Sequence, residues 1–368
     1  MLDSKRPIPR DQAGRHPGLA LAQWRNRLIA SPRFQALAQR LLPGRWIARR
    51  HARRLFDLTA GFVYSQVTAA LVESGLLRTL ADMPLTLDQA AGAACLTPHA
   101  TRTLLLAAAS LDLTQHVGEH WTLGVRGAAL VATPGLEAMI RHHRLFYADL
   151  ADPLALLRGS GGGALASLWD YAPGSDPADA RTYSELMSAT QPMVAAQALA
   201  AYRFARHRRL LDIGGGSGAF LRAVGESVPG LALGLFDRPQ VIAATAAEDG
   251  IARHPGDFRH DPLPAGYDLH SLVRVLHDHD DEPALAILAA SRAALSPGGR
   301  LLIVEPMAAP GKAPEGHAYF GLYLTAMRSG RPRTPDEIRA MLRAAGFSKS
   351  VQRPTPLPLV ASCLVATV

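Results

Sequence analysis

The chain has 368 residues, 48% of them hydrophobic, with 6% aromatics and two cysteines. That length suits two domains with cores of their own, and the composition excludes low-complexity disorder. Two distant thiols, Cys95 and Cys363, exclude a disulfide framework or a four-cysteine zinc site. No unbroken apolar run reaches the roughly 20 residues of a bilayer span, so a soluble, cytoplasmic protein is expected. The formal charge of +8 is unevenly placed: residues 1–57 hold 13 of the 39 Lys and Arg and 3 of the 31 Asp and Glu. Basicity therefore belongs to the N-terminal segment rather than to the body.

Residues 1–18, with Pro7, Pro9 and Pro17, read as a loose arm without the apolar stretch of a signal peptide. Leu21, Trp24, Leu28, Phe34, Leu37 and Leu41 then recur at helical spacing, and Pro32 and Pro43 divide the run into short helices. This basic segment, residues 1–54, fits a solvated face, a dimer contact or a membrane-surface contact. From Leu55 a long apolar-faced helix runs to about Gly75. Two more helices follow, opened by Thr86 and Thr97 as N-caps, and then a hairpin around Gly118-Glu119. Helix, helix, helix, wing is an order shared with DNA-binding modules. The third helix argues against that use, because between Thr97 and Leu113 its charges are Arg102 and Asp112, and a groove-reading helix needs several cations. No nucleic-acid partner is expected. Residues 136–200 read as mostly helical, with a loose glycine run, Gly159–Gly163, that lacks the Lys-Ser/Thr of a P-loop. From Arg208 strands and helices alternate, which predicts a doubly wound α/β sheet.

RRLLDIGGGSGAFLRAV is the sharpest motif. A strand, Leu210–Ile213, enters Gly214, Gly216 and Gly218 and then a helix from Ala219. Such a turn lets a ligand approach the backbone and the helix N-terminus, and it suits a dinucleotide as well as other nucleosides. Neighbouring acids separate these readings. Asp212 precedes the glycines, where a carboxylate can face an ammonium group. Asp237 ends the next strand 19 residues after Gly218, where an acid meets ribose hydroxyls. Asp257 and Phe258 follow a third strand and suit an adenine amino group and ring. Three acids at successive strand ends describe S-adenosylmethionine better than NAD. Further on, RVLHDHDDE and LLIVE bring His277 and Glu305 to the same edge of the sheet, a general base with a carboxylate to orient it. Consecutive His and Asp in that turn are ill-placed to converge on one ion, so no metal is expected.

LLDIGGGSGAF, LFDRPQVI, GDF, RVLHDHDDE, LSPGGRLLIVEP and GRPRTPDEIRAMLRAAGF stand in the order seen in hydroxyl-directed small-molecule O-methyltransferases. The chain resembles that family, which includes the caffeate and acetylserotonin enzymes. ASPRFQALAQRL, LFDLTAGFVYSQV, YADLADPLALLRG and AYFGLYLTAMRSGRPRT extend the resemblance, nearly end to end, to its carotenoid-directed members. The resemblance implies a Rossmann-like class I methyltransferase sheet over residues 191–368, behind a winged-helix-like dimerisation domain over residues 55–190. It also implies S-adenosylmethionine as cofactor, a hydroxylated acyclic carotenoid as acceptor and a homodimer. A lipid-dissolved acceptor makes peripheral membrane contact through the basic segment an expectation too. His277 matches the family's base and Glu305 the acid that holds it. Arg274 and Gln191 fall where relatives touch the cofactor, while Tyr183, Met187, Leu322 and Tyr323 match acceptor-pocket positions. Two departures stand out: Pro332 occupies the place of a second acid, and His279 that of a tryptophan. A phenol or polyketide hydroxyl is the rival acceptor. An NAD-dependent oxidoreductase is the rival class, but it leaves the HDHDDE turn and Glu305 unexplained.

Overall fold

The computed structural model describes residues 17–40, 42–169, 177–245, 250–308 and 315–368. The chain forms two compact units that divide between Thr68 and Ala69. The first holds α1 (Pro17–Ala30), α2 (Pro32–Arg40) and most of α3 (Leu42–Glu73). The helices divide beside Pro43 as expected, α2 ending at Arg40 and α3 opening at Leu42, whereas the boundary expected between Arg54 and Leu55 is absent. Proline in a first turn removes an N–H that has no intrahelical partner anyway, so α3 accommodates Pro43 and passes through Arg54 uninterrupted. By length and mean hydropathy Arg45–Glu73 is also long enough to cross a bilayer. The expectation from unbroken runs stands beside this, since Ser65, Gln66 and Thr68 interrupt the apolar run while leaving its average high. Leu55, Phe56, Leu58 and Phe62 on this helix are 64–79% exposed.

The second unit opens with α4 (Leu76–Asp82), α5 (Leu87–Ala94) and α6 (Pro98–Ser110), then β1 (Thr114–Val117), β2 (His120–Leu123) and α7 (Val125–Ala132). Both expected caps form: Thr86 makes a reciprocal capping box with Gln89, and Thr97 accepts from Ala100 N–H behind Pro98. β1 and β2 pair antiparallel as the wing. Next come α8 (Leu136–Asp149), α9 (Pro153–Leu157), α10 (Ala164–Trp169) and α11 (Pro177–Ala201). The glycine run before α10 is anchored rather than loose. The buried Asp149 carboxylate accepts the N–H groups of Gly163, Ala164 and Leu165 at 2.8–2.9 Å, and Arg328 donates to Gly162 O at 2.9 Å.

The remainder alternates: β3 (Arg209–Ile213), α12 (Ala219–Ser227), β4 (Ala232–Asp237), α13 (Pro239–Ala243), β5 (Ala252–Pro255), β6 (Leu269–Val273), α14 (Asp281–Ala294) and β7 (Arg300–Glu305). It ends with α15 (Glu315–Met327), α16 (Pro335–Ala344), β8 (Lys349–Arg353) and β9 (Ser362–Thr367). The sheet order is β5-β4-β3-β6-β7-β9-β8, parallel except for β9, which runs antiparallel to both neighbours. Central strands such as β6 are buried throughout, as a sheet covered on both faces requires. One apolar core, around Phe204, Phe220 and Leu302, covers one face, and another, around Leu272, Ile287 and Ile338, covers the other. Strand order reverses between β3 and β6. A crevice opens outside the carboxyl ends of strands at such a reversal, and ligands bind there. The boundary expected at residue 190 falls inside α11, whose C-terminal half joins the first of these cores.

Candidate active site

A cavity of about 710 Å³ lies over this switch point. Its floor is the turn after β3, where Gly214, Gly216 and Gly218 have φ of +70°, +58° and +77°, values that favour glycine. Gly214 and Gly216 line the cavity, whereas Gly218 caps α12 from below. Gly215, which the motif spacing did not single out, is required as well: a Cβ there would sit 2.4 Å from Asp212 Oδ2. Asp212 is fully buried beneath the turn. Ser271 donates to its Oδ1 at 2.6 Å, while Oδ2 has no hydrogen-bond partner among the described residues. Burial, only partly offset by Ser271, raises its pKa to about 7. Asp212 does not line the cavity: it lies behind Gly215, which does. Asp237, at the end of β4, accepts from Gly216 N–H at 2.8 Å and Arg238 N–H at 2.7 Å. Burial raises its pKa too, opposed by those two donors.

Phe258 lines the cavity, and its ring meets His279 edge-on at 5.3 Å, so His279 supplies the aromatic wall at the position of the missing tryptophan. Asp257 also lines the cavity, but Arg259 clasps its carboxylate, with Nη2 at 2.5 Å from Oδ2, and holds its pKa down at about 2. An adenine amino group would have to share that acceptor. Arg274 follows β6 with a left-handed φ of +57°. Its guanidinium donates to Thr190 Oγ1 at 2.8 Å, to Met187 O at 2.9 Å and to Gln191 Oε1. Arg274 thus ties α11 to the sheet, which brings Met187 and Gln191 to the cavity wall. Ser188 and Ser217, which sequence spacing gave no reason to pair, close the same seam at 2.7 Å.

His277 is buried and does not itself line the cavity, although its neighbours Asp278 and His279 do. Glu305 was expected to hold its ring. Glu305 Oε2 accepts the His277 backbone N–H at 3.2 Å and stands 3.9 Å from Nδ1, while Asp278 Oδ1 lies 3.1 Å from Nε2. Burial disfavours charge on the imidazole, but Asp278 and then Glu305 outweigh it and hold its pKa above the ordinary value. Burial raises the pKa of Glu305, against the pull of His277. The turn carrying these groups is clamped from the segment 328–334. Arg333, fully buried, donates to Leu276 O at 2.6 Å, His279 O at 2.7 Å and Asp281 Oδ1 at 2.7 Å. Ser329 donates to Asp278 O at 2.7 Å, and a Cβ on Gly330 would come within 2.0 Å of His277 O. Asp278 and Arg333 escaped sequence reasoning, because one reads as a turn acid and the other as a surface cation.

Leu322 and Tyr323 line neither this cavity nor the smaller one beside it. They pack with Phe146, Leu156 and Leu324, and Tyr323 Oη bonds His142 Nε2 at 2.8 Å. Burial lowers the His142 pKa to about 4. Tyr183 belongs to α11, with its side chain outside the described residues.

A family model described as O-methyltransferase domain matches residues 147–348. The chain is 44% identical over 363 residues to demethylspheroidene O-methyltransferase of Cereibacter sphaeroides, covering 95% of this chain and 96% of that one. It is 42% identical over 346 residues to the enzyme of that name from Rhodobacter capsulatus, covering 92% and 88%. The crystal structure of human N-acetylserotonin methyltransferase in complex with SAM superposes with a TM-score of 0.75 at 24% identity, over 86% of this chain and 97% of that one. Glycine turn, strand-end acids, sheet order and these likenesses agree: the chain belongs to the O-methyltransferase family.

Proposed function

We propose that the protein methylates the tertiary hydroxyl of an acyclic carotenoid, with S-adenosylmethionine as donor. The acceptor class rests on relatives named demethylspheroidene O-methyltransferase that match nearly the whole chain. The observation that carries the chemistry is a buried imidazole between two carboxylates, one of which, Asp278, lines a cavity floored by glycines. S-adenosylmethionine, when bound, supplies a methyl group on a cationic sulfur that leaves as a neutral thioether. The residues present fit it. Asp212 Oδ2, unpartnered behind Gly215, would take its ammonium group across the glycine turn, Asp237 keeps lone pairs for ribose hydroxyls, and Phe258 and His279 offer ring faces. Gly214 and Gly216 let the chain approach closely.

His277 takes up the acceptor hydroxyl's proton as the oxygen forms its bond to carbon; Nε2 faces Asp278 at 3.1 Å and carries the proton of the neutral ring, so the accepting lone pair is on Nδ1, and Asp278 and Glu305 stabilise the imidazolium. A tertiary alcohol is a weak acid, so the proton leaves late, and the base contributes about 10²–10⁴-fold. Alignment at about 3–3.5 Å and exclusion of water supply the rest. Two expectations about assembly accompany this reading. The exposed apolar face of α3 pairs with a second copy. The basic residues 1–54 meet an anionic bilayer from the cytoplasmic side, where the acceptor resides.

Mass spectrometry of a reaction with labelled S-adenosylmethionine, a detergent-dispersed 1-hydroxy acyclic carotenoid and a flavonoid tests the acceptor. Label on the carotenoid alone is expected, and label on the flavonoid alone overturns the acceptor class. Vesicle sedimentation with and without residues 1–54, at low and high salt, tests the membrane contact.

A further inference from the structure

A long apolar acceptor needs somewhere to lie while its hydroxyl reaches His277. The cavity over the glycine turn mixes apolar side chains such as Met187, Val241 and Met327 with three carboxylates and four arginines, and Leu322 and Tyr323 are packed away from it. A second cavity, of about 340 Å³, lies beyond the base. Pro306, Met307, Phe320, Pro332, Pro358 and Leu359 line it, and its charged wall residues, Asp336 and Arg339, are paired with one another at 2.6 Å. No ionic partner is called for by such a wall. Its volume is at the low end of ligand cavities, roughly 300–1,000 Å³.

We propose that this cavity receives the acceptor's apolar chain, with Phe320 as the wall that swings between chain and base. The inference rests on the acceptor reading given above. Phe320 lines the cavity and holds its ring 6.3 Å from that of His277, tilted by 30°. Two more wall residues adjoin the catalytic groups in sequence: Pro306 follows Glu305, and Pro332 precedes the Arg333 clamp. The outer lip is apolar as well, since Leu357 and Leu359 are 54% and 57% exposed. A chain dissolved in lipid meets leucine at the lip, then proline, methionine and phenylalanine, and reaches the imidazole without crossing the cofactor chamber.

Two substitutions test this. Leu359→Asp places a charge on the lip at an exposed position. Gly316→Phe fills the space, because a Cβ there sits 2.5 Å from Leu359 Cδ1, the movable end of a flexible side chain. Each variant is assayed with a 1-hydroxy acyclic carotenoid and with a short tertiary alcohol bearing the same end group. The ratio of kcat/KM for the long acceptor to that for the short one is expected to fall about tenfold or more. A ratio within about twofold of the parent in Leu359→Asp overturns the proposal, whether or not Gly316→Phe folds. If the parent protein methylates neither alcohol but labels a phenol, the acceptor reading itself fails and this inference with it.

Discussion

Replacing Arg333 by methionine keeps the buried volume and deletes every donor. Two of its bonds go to main-chain carbonyls of the catalytic turn, Leu276 O and His279 O, and two more to the exposed Asp281, which Arg331 also holds. Hydrogen bonds from a charged donor are worth about 1.5–3 kcal/mol each. Leu276 O also accepts the His279 N–H, so it is not orphaned, and the two carbonyls together should cost about 2–4 kcal/mol. At about 2–4 °C per kcal/mol for a unit of this size, Tm is expected to drop by roughly 5–15 °C. Because the same turn carries His277 and Asp278, a displacement of about 1 Å should lower kcat by about 10²-fold. Calorimetry and single-turnover kinetics on Arg333→Met measure both. Arg333→Lys keeps the charge without the fork and should recover only part of either. A Met variant that melts within about 2 °C of the parent would refute the clamp. One that is destabilised yet turns over normally would refute its role in placing the base.

Removing the base itself, His277→Ala, should cut kcat by about 10²–10⁴-fold and leave the cofactor Kd, read by calorimetry, nearly unchanged; equal losses in both would remove the assignment. The pH–rate profile tests Asp278. The imidazole must be neutral to accept a proton, so the rate falls as pH drops through the raised His277 pKa. In Asp278→Asn that acid limb should move to lower pH and the plateau should fall, and a limb that stays put would sink the pairing. Asp212 titrates at about 7 before a cation arrives. Cofactor affinity should therefore weaken as pH falls through neutrality, and Asp212→Asn should bind weakly at every pH; fluorescence titration from pH 6 to 8.5 decides, and an unchanged slope in the variant would exclude Asp212 as the ammonium partner.

Much of the cofactor side was legible because it is local. A strand that ends in Asp212 and turns through glycines, an acid at the end of the next strand and Glu305 at the end of β7 are patterns of adjacent residues that any doubly wound sheet places on one edge. Thr86 and Thr97 were legible as caps for the same reason. What the sequence hid depends on distance along the chain. Arg333 reaches a turn more than 50 residues earlier, Tyr323 meets His142 across 181 residues, and Arg259 competes for Asp257 through a side-chain geometry that spacing does not encode. Pro43 was read rightly as marking a helix boundary, whereas the division at Leu55 was not, because no proline lies between Pro43 and Glu73 to end α3. Glu305 was read in part: it stands 3.9 Å from the ring's Nδ1 and also bonds the histidine's main chain, while the closer ring contact, to Asp278, was missed.

The placement of β9 bears on how the protein is made. Ser362–Thr367 slots between β7 and β8 and pairs with Arg300–Glu305 along its whole length, with Ser362 opposite Glu305. On the ribosome β7 emerges long before its partner. Until β9 is translated, the strand bearing the catalytic acid keeps a bare edge whose four central residues, Leu301–Val304, are apolar, and such edges are where nascent chains stick to one another. Chaperone dependence should concentrate in that interval, and a ribosome stalled before Ser362 would display a complete glycine turn beside a base whose acid is not yet fixed in place.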